Sequence, residues 1–183
     1  LFHRGLPGMW LLRQCLNFWD QTKDGAGPWA LPQLIATAQQ LPQPGDLLDL
    51  DDPAFLAPGD MPSRINAQRL RQGLAPLPAG SSTAPHYANL IFHSLAGSYA
   101  SVISRIATLS GTRIDRICVV GGGSRNEYLN ALTRDLSGLP VERCSAESST
   151  IGNFAVQWAR LDQENDALSA AAIADRARAL ASV

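Results

Sequence analysis

Apolar residues return every three or four positions through Met9, Leu12, Cys15, Leu16 and Trp19, which predicts a helix ending near Asp20. Pro32 suits the first turn of a short second helix with Leu34, Ile35, Ala38 and Leu41 on one side. Asp60 has the chemistry of an N-cap and Pro62 follows it, so a third helix is expected from there to Gly73. From about Ser82 to Ser110 the stripe Ile91, Leu95, Tyr99, Val102, Ile106 and Leu109 predicts one long helix with Gly111 as its stop. At 1.5 Å per residue it spans about 40 Å, enough to cross a sheet face. Residues 28–80 otherwise form an irregular connector region with short helices, extended between Pro42 and Pro62 and marked by proline from Leu74 to Gly80.

The period then changes. Ile117-Cys118-Val119-Val120 is a continuous apolar, β-branched run, the pattern of a buried strand, and it ends on Gly121-Gly122-Gly123. Ser124 followed by Glu127 has the spacing of a capping box, opening a helix that carries Tyr128, Leu129, Leu132 and Leu136 and closes at Gly138 and Pro140. Val141 to Cys144 is a second, short strand. Ser148, Ser149 and Thr150 offer caps to a helix with the stripe Ile151, Phe154, Trp158 and Leu161. The alanine-rich stretch 166–181 predicts a last helix with Leu168, Ile173, Ala177 and Leu180 inward. The class is α/β, rich in helices and poor in strands.

Candidate chemistry concentrates at the glycines. Without Cβ atoms the chain turns sharply and lets a flat ligand lie against the peptide planes. The motif is not the dinucleotide fingerprint, because Asn126 stands where a third glycine is needed, and no Gly-Lys-Ser/Thr follows to make a phosphate loop. A tight strand-to-helix connection holding no ligand is the competing reading. If Ser124 and Glu127 cap the helix, few N–H donors remain for phosphate, and the shelf suits a base or ribose better. Elsewhere, Trp10 and Trp19 are expected as core anchors. Asp49, Asp51 and Asp52 read as a solvated turn or strand edge, and His86 and His93 as packing or solvent-contact residues, since two histidines without a third ligand rarely hold zinc.

Composition narrows the field. The chain has 183 residues, enough for one real core, with 45% hydrophobic and 17% charged residues, as in ordinary soluble proteins. A formal charge of −1 gives no electrostatic case for nucleic acid or an anionic membrane surface. No apolar run approaches the roughly 18–20 residues of a membrane span. Cys15, Cys118 and Cys144 are odd in number and lack a Cys-x-x-Cys pair, which predicts buried free thiols in a reducing compartment. The first residue is Leu1, which fits a fragment or a processed chain.

Four blocks carry a resemblance. Arg113-Ile114-Asp115-Arg116-Ile117-Cys118-Val119-Val120-Gly121-Gly122-Gly123-Ser124-Arg125-Asn126-Glu127-Tyr128-Leu129-Asn130 resembles the adenosine-binding segment of the FGGY carbohydrate kinases, most nearly the rhamnulokinases. Gly8-Met9-Trp10-Leu11-Leu12-Arg13 resembles their Gly-Leu-Trp-Leu-Leu-Gln helix. Phe55-Leu56-Ala57-Pro58-Gly59-Asp60-Met61-Pro62 resembles their Phe-x-Asn-Pro-x-Asp-Met-Pro segment. Glu147 to Gln157 resembles their Glu-Ala-Thr-Ala-Ile-Gly-Asn-x-x-x-Gln helix. The blocks run from Gly8 to Gln157.

The resemblance implies part of an actin-like (ribonuclease H-like) ATPase domain, the later portion of a C-terminal kinase domain, lacking the three-stranded meander that opens that fold. It makes 82–161 the nucleotide-side α/β core and 1–183 one partial domain. It implies a cytoplasmic kinase using ATP and Mg²⁺ to phosphorylate a ketose such as rhamnulose, with neither nucleic acid nor membrane as partner. Gly121, Gly122 and Gly123 are then the adenosine shelf, with Asn126 as a hydrogen-bond partner for base or ribose. Arg13 stands where rhamnulokinases carry a nucleotide-side Gln, and Gly5 where they carry an Asn of the sugar site. The family's general base, a first-domain aspartate, and its phosphate loops have no counterpart in the chain, so no catalytic and no metal-ligating residue is expected here. An uncovered strand edge predicts self-association into a homo-oligomer. A catalytically silent nucleotide-binding module and a purely structural α/β fragment are the alternatives from other classes.

Overall fold

The computed structural model describes residues 4–22, 28–144, 147–161 and 169–181. The expected loop at 23–27, the side chains of Ser148 and Ser149, and Leu168 with the start of the last helix lie outside that set. Among the described residues the chain forms seven α-helices and two short strands. They divide into two units, Leu1–Asp115 with Glu127–Pro140, and Arg116–Asn126 with Val141–Val183.

The first unit is helical. It holds α1 (Trp10–Thr22), α2 (Leu31–Gln39), α3 (Met61–Arg71), α4 (Ala84–Ser110) and α5 (Glu127–Ser137). The first half of α4 is buried on nearly every side, Tyr87 to Ala96 without a break, because α1, α2 and α5 all pack against it. Leu11, Leu12, Leu34, Phe55, Ile65, Ile91, Phe92 and Leu95 close the core, each worth about 1.5–3 kcal/mol on burial. Trp19 anchors it as expected, edge-on to Tyr87 with ring centroids 5.2 Å apart, and Trp10 packs on its margin. His93 is buried and meets the Tyr128 hydroxyl at 3.1 Å, while His86 is exposed. Burial holds the His93 imidazole below its ordinary pKa. Gly111 ends α4 in the left-handed region, at φ 63°.

The connector is more ordered than its composition suggests. Pro53–Leu56 is a 3₁₀ turn capped by Asp52, which accepts from the Ala54 N–H, and it delivers Phe55 to the core. Two amides of α3 hold the passing backbone. Gln68 donates to Asp49 O and accepts from Asp49 N, both at 2.9 Å. Asn66 donates to Leu77 O and accepts from Leu77 N. This is why a buried glutamine is tolerated, since all the polar edges it hides are paired. Asp60 caps α3 through the Ser63 N–H at 3.0 Å, as its position predicts. The Asp49–Asp52 segment is a turn, and a hydrogen bond from Gln68, the Ala54 N–H and the Arg71 guanidinium hold the Asp52 carboxyl below its usual range.

The second unit is smaller. Strands β1 (Ile117–Val119) and β2 (Val141–Arg143) pair in parallel, Ile117 opposite Val141 and Val119 opposite Arg143. Helices α6 (Ser148–Leu161) and α7 (Ala170–Ala181) pack together as a hairpin. Two expectations fail here. The strand pattern predicts burial, yet Cys118 is exposed and Val120 is 50% exposed, and Cys144 is exposed too. Among the described residues β1 has one strand neighbour only, so its apolar character exceeds what the sheet covers. On α6 the large residues Phe154, Trp158 and Leu161 face outward, and Ala155 and Ala159 are the buried ones. Two alanines let the backbones of α6 and α7 approach closely, which turns the predicted stripe away from the hairpin. Arg176 covers part of it, its guanidinium 4.8 Å from the Trp158 ring centroid.

Candidate functional site

The backbone after β1 makes the site. Gly121 takes φ 74° and ψ −170°, a region essentially closed to residues with a Cβ. That single rotation folds the next residues into a 3₁₀ turn, Gly122–Arg125. The Gly121 carbonyl accepts twice from Ser124, from its N–H at 3.1 Å and its hydroxyl at 2.7 Å. The Gly123 carbonyl accepts from the Asn126 N–H at 3.1 Å. Ser124 and Asn126 are buried, at 2% and 5% exposure, whereas Gly122 and Gly123 face outward. A Cβ placed on either of those glycines would meet no atom within 4 Å. The turn is thus closed on its inner side and bare on its outer side, a pair of peptide planes with open space over them.

The geometry revises two expectations. The strained backbone belongs to Gly121, with the positive φ there and not at the middle glycine. The helix starts at Glu127, three residues beyond Ser124, so Ser124 is not its N-cap. The Ser124 hydroxyl instead turns back onto the turn itself, and Asn126 occupies the position before the first residue of α5, where N-caps stand.

Gly121, Gly122, Gly123 and Asn126 therefore share one turn. Arg13 belongs to the other unit, exposed on α1, with Gln14 half-buried beside it. One feature has no counterpart among the expected site residues. On α6, Thr150, Asn153, Phe154 and Gln157 line a concavity of about 300 Å³. Their spacing, three, four and seven residues apart, puts them on one helix face, the signal from which it was legible. Among the described residues no group of three or more His, Cys, Asp or Glu side chains could hold a metal ion.

Residues 2–160 match the C-terminal domain of the FGGY family of carbohydrate kinases. The chain belongs to that family. FGGY kinases are phosphotransferases that use ATP and Mg²⁺, and their C-terminal domain has the actin-like ATPase fold. The helix-rich chain with its small parallel sheet is the ATP-binding part of such a sugar kinase. Among the described residues, no helix is long and apolar enough to cross a membrane.

Proposed function

We propose that the Gly121–Asn126 turn receives the adenosine of ATP in a cytoplasmic kinase whose acceptor is a ketose such as rhamnulose. The observation that carries the reading is the bare outer face of Gly122 and Gly123, set by the Gly121 rotation at the end of β1. A planar base or a ribose lies on peptide planes only where no Cβ stands, and two adjacent side chains are missing here. Asn126 closes the turn through its N–H to the Gly123 carbonyl, and Arg13 belongs to the nucleotide side by resemblance. The rhamnulokinase-like blocks around Trp10, Asp60 and Ile151 support the ketose, with Gly5 marking where its selectivity departs from theirs.

In phosphoryl transfer the protein's work is positioning and charge stabilisation, with little covalent chemistry of its own. When bound, Mg²⁺ neutralises charge on the phosphates. The residues of this chain hold the other end of the nucleotide and so fix where the γ-phosphoryl points. Deprotonation of the sugar hydroxyl is assigned to a base outside these 183 residues. The exposed Phe154, Trp158 and Leu161 support the homo-oligomer expected from the sequence.

The test is a titration of the chain with ATP, adenosine and inorganic phosphate, followed by thermal melting. A ligand that binds only the folded state stabilises it by about 2.7 kcal/mol at a hundredfold excess over Kd. ATP and adenosine should both raise Tm, and phosphate should not. Stabilisation by phosphate alone, or by none of the three, overturns the assignment.

A further inference from the structure

The two exposed cysteines stand together. Cys118 lies in β1 opposite Glu142, and paired residues of a parallel ladder point to the same face. Cys144 is two residues beyond Glu142, so alternation returns it to the Cys118 face. The Cys144 N–H donates to Val119 O at 2.9 Å, which keeps it on the ladder past the formal end of β2. Both side chains are open to solvent, whereas Cys15 is fully buried. The neighbouring Cys118 thiol is also the first cause that raises the Cys144 pKa, ahead of burial and of Glu142.

We infer that Cys118 and Cys144 form an oxidation site, a thiol pair that a low-molecular-weight disulfide closes into a cross-strand disulfide. One cysteine thiolate attacks a sulfur of the oxidant, forming a mixed disulfide and expelling the first small thiolate. The second cysteine thiolate then attacks the protein sulfur of that mixed disulfide and expels nothing but the second small thiol. The protein loses two protons and two electrons, and the oxidant becomes two thiols. With parallel strands about 4.8 Å apart and a rise of about 3.3 Å per residue, residues offset by two have Cα atoms about 8 Å apart, against about 4.4–6.8 Å in a disulfide. Closure therefore draws the end of β2 toward β1 by about 1 Å or slightly more. A bond closed in this way is exposed and strained, the kind that excess thiol reopens. It would join the last residues of β2 to the strand that leads into the glycine turn.

The experiment incubates the native chain with oxidised glutathione and follows it by intact mass, thiol counting and peptide mapping. Cys15 reports the native state, and only molecules in which it stays unreacted are scored. The expected result is loss of two of the three thiols, a mapped Cys118–Cys144 link, a rate independent of chain concentration, and full reversal by dithiothreitol. Cys118→Ser should instead stop at a glutathione adduct on Cys144, and Cys144→Ser at one on Cys118. Persistent adducts on both cysteines of the unsubstituted chain, links between two chains, or no reaction while Cys15 is protected would each overturn the inference.

Discussion

Gly121→Ala and Gly122→Val should separate the folding role of the turn from its binding role. Gly121 sits at φ 74° and ψ −170°, so an alanine there must either hold a conformation costing of the order of 1–3 kcal/mol or rebuild the turn. Rebuilding is costly as well, since the Gly121 carbonyl takes both Ser124 bonds and Ser124 is 98% buried, the complement of its 2% exposure. For a chain of this length each kcal/mol moves Tm by about 2–4 °C, so Gly121→Ala should lower it by roughly 2–12 °C. Gly122 has neither constraint. Its φ is not positive, and a Cβ there meets nothing within 4 Å. Gly122→Val should leave Tm within about 2 °C, the scale of an unconstrained surface change.

Binding should respond in the opposite order. The space that is empty above Gly122 is where the proposed adenosine lies, and a branched side chain fills it. Loss of that approach should weaken ATP at least tenfold, about 1.4 kcal/mol. Isothermal titration with ATP, alongside melting of both variants without ligand, reads the two effects independently. If Gly122→Val melts several degrees low and still binds ATP as before, the middle glycine is structural and the shelf has been misplaced. If Gly121→Ala is as stable as the parent, the turn is not held by that rotation.

Acid should expose the Asp52 bracket. Its carboxyl is held below the ordinary value of 3.8, first by the Gln68 amide, so its contribution is full above that value and is lost as pH falls through the lower folded value. Asp52→Asn should lower stability at neutral pH and flatten the acid limb of a urea-denaturation profile; an unchanged limb refutes the bracket. His93 has a depressed pKa and favours the neutral form, so acidification below 6.5 should cost stability until the folded value is reached. His93→Phe should remove that slope in the same profile, and persistence of the slope would assign it to another group. Light scattering should find the chain as a dimer or larger, and Trp158→Glu combined with Leu161→Glu should reduce the mass; a monomeric parent chain removes the premise.

What the sequence reveals depends on how completely an element is surrounded. α3 was legible at its start because Asp60 and Pro62 act locally, through a cap and a fixed φ, and at its end because Gly73 takes a left-handed φ of 77°. α4 was legible because Gly111 supplies a left-handed stop and the first part of its stripe, Ile91 and Leu95, faces a core; the stripe's far end is not covered, with Leu109 exposed. The connector was only half legible. Its prolines and aspartates signal turns, but the bonds that order it come from Asn66 and Gln68, polar residues of a helix with no local mark of that duty. β1 and α6 misled for a different reason. Their apolar residues promise burial, and what covers a strand or a helix is decided by partners that lie far away in sequence. At the glycines, residue type located the turn, but residue type alone did not say which glycine rotates, since all three are equally free to do so.

That asymmetry has a consequence for the site. The first unit is anchored by fully buried aromatic and branched residues such as Phe55, Tyr87, Phe92 and Ile91. The second, which carries the glycine turn, has Ala155 and Ala159 as its buried hydrophobic side chains among the described residues. Two alanines bury little area, so little hydrophobic free energy fixes that unit. The turn is instead defined over a few residues by conformation and hydrogen bonding, one rotation at Gly121 that other residues avoid and hydrogen bonds of 2.7–3.1 Å around Ser124 and Asn126. A local device of this kind keeps its shape without a deep core beneath it. It can therefore present the same bare peptide planes while the apolar faces of Phe154, Trp158 and Val120 still await cover. The proposed nucleotide shelf is specified by the Gly121–Asn126 stretch, and the strength with which the surrounding unit holds together is specified elsewhere.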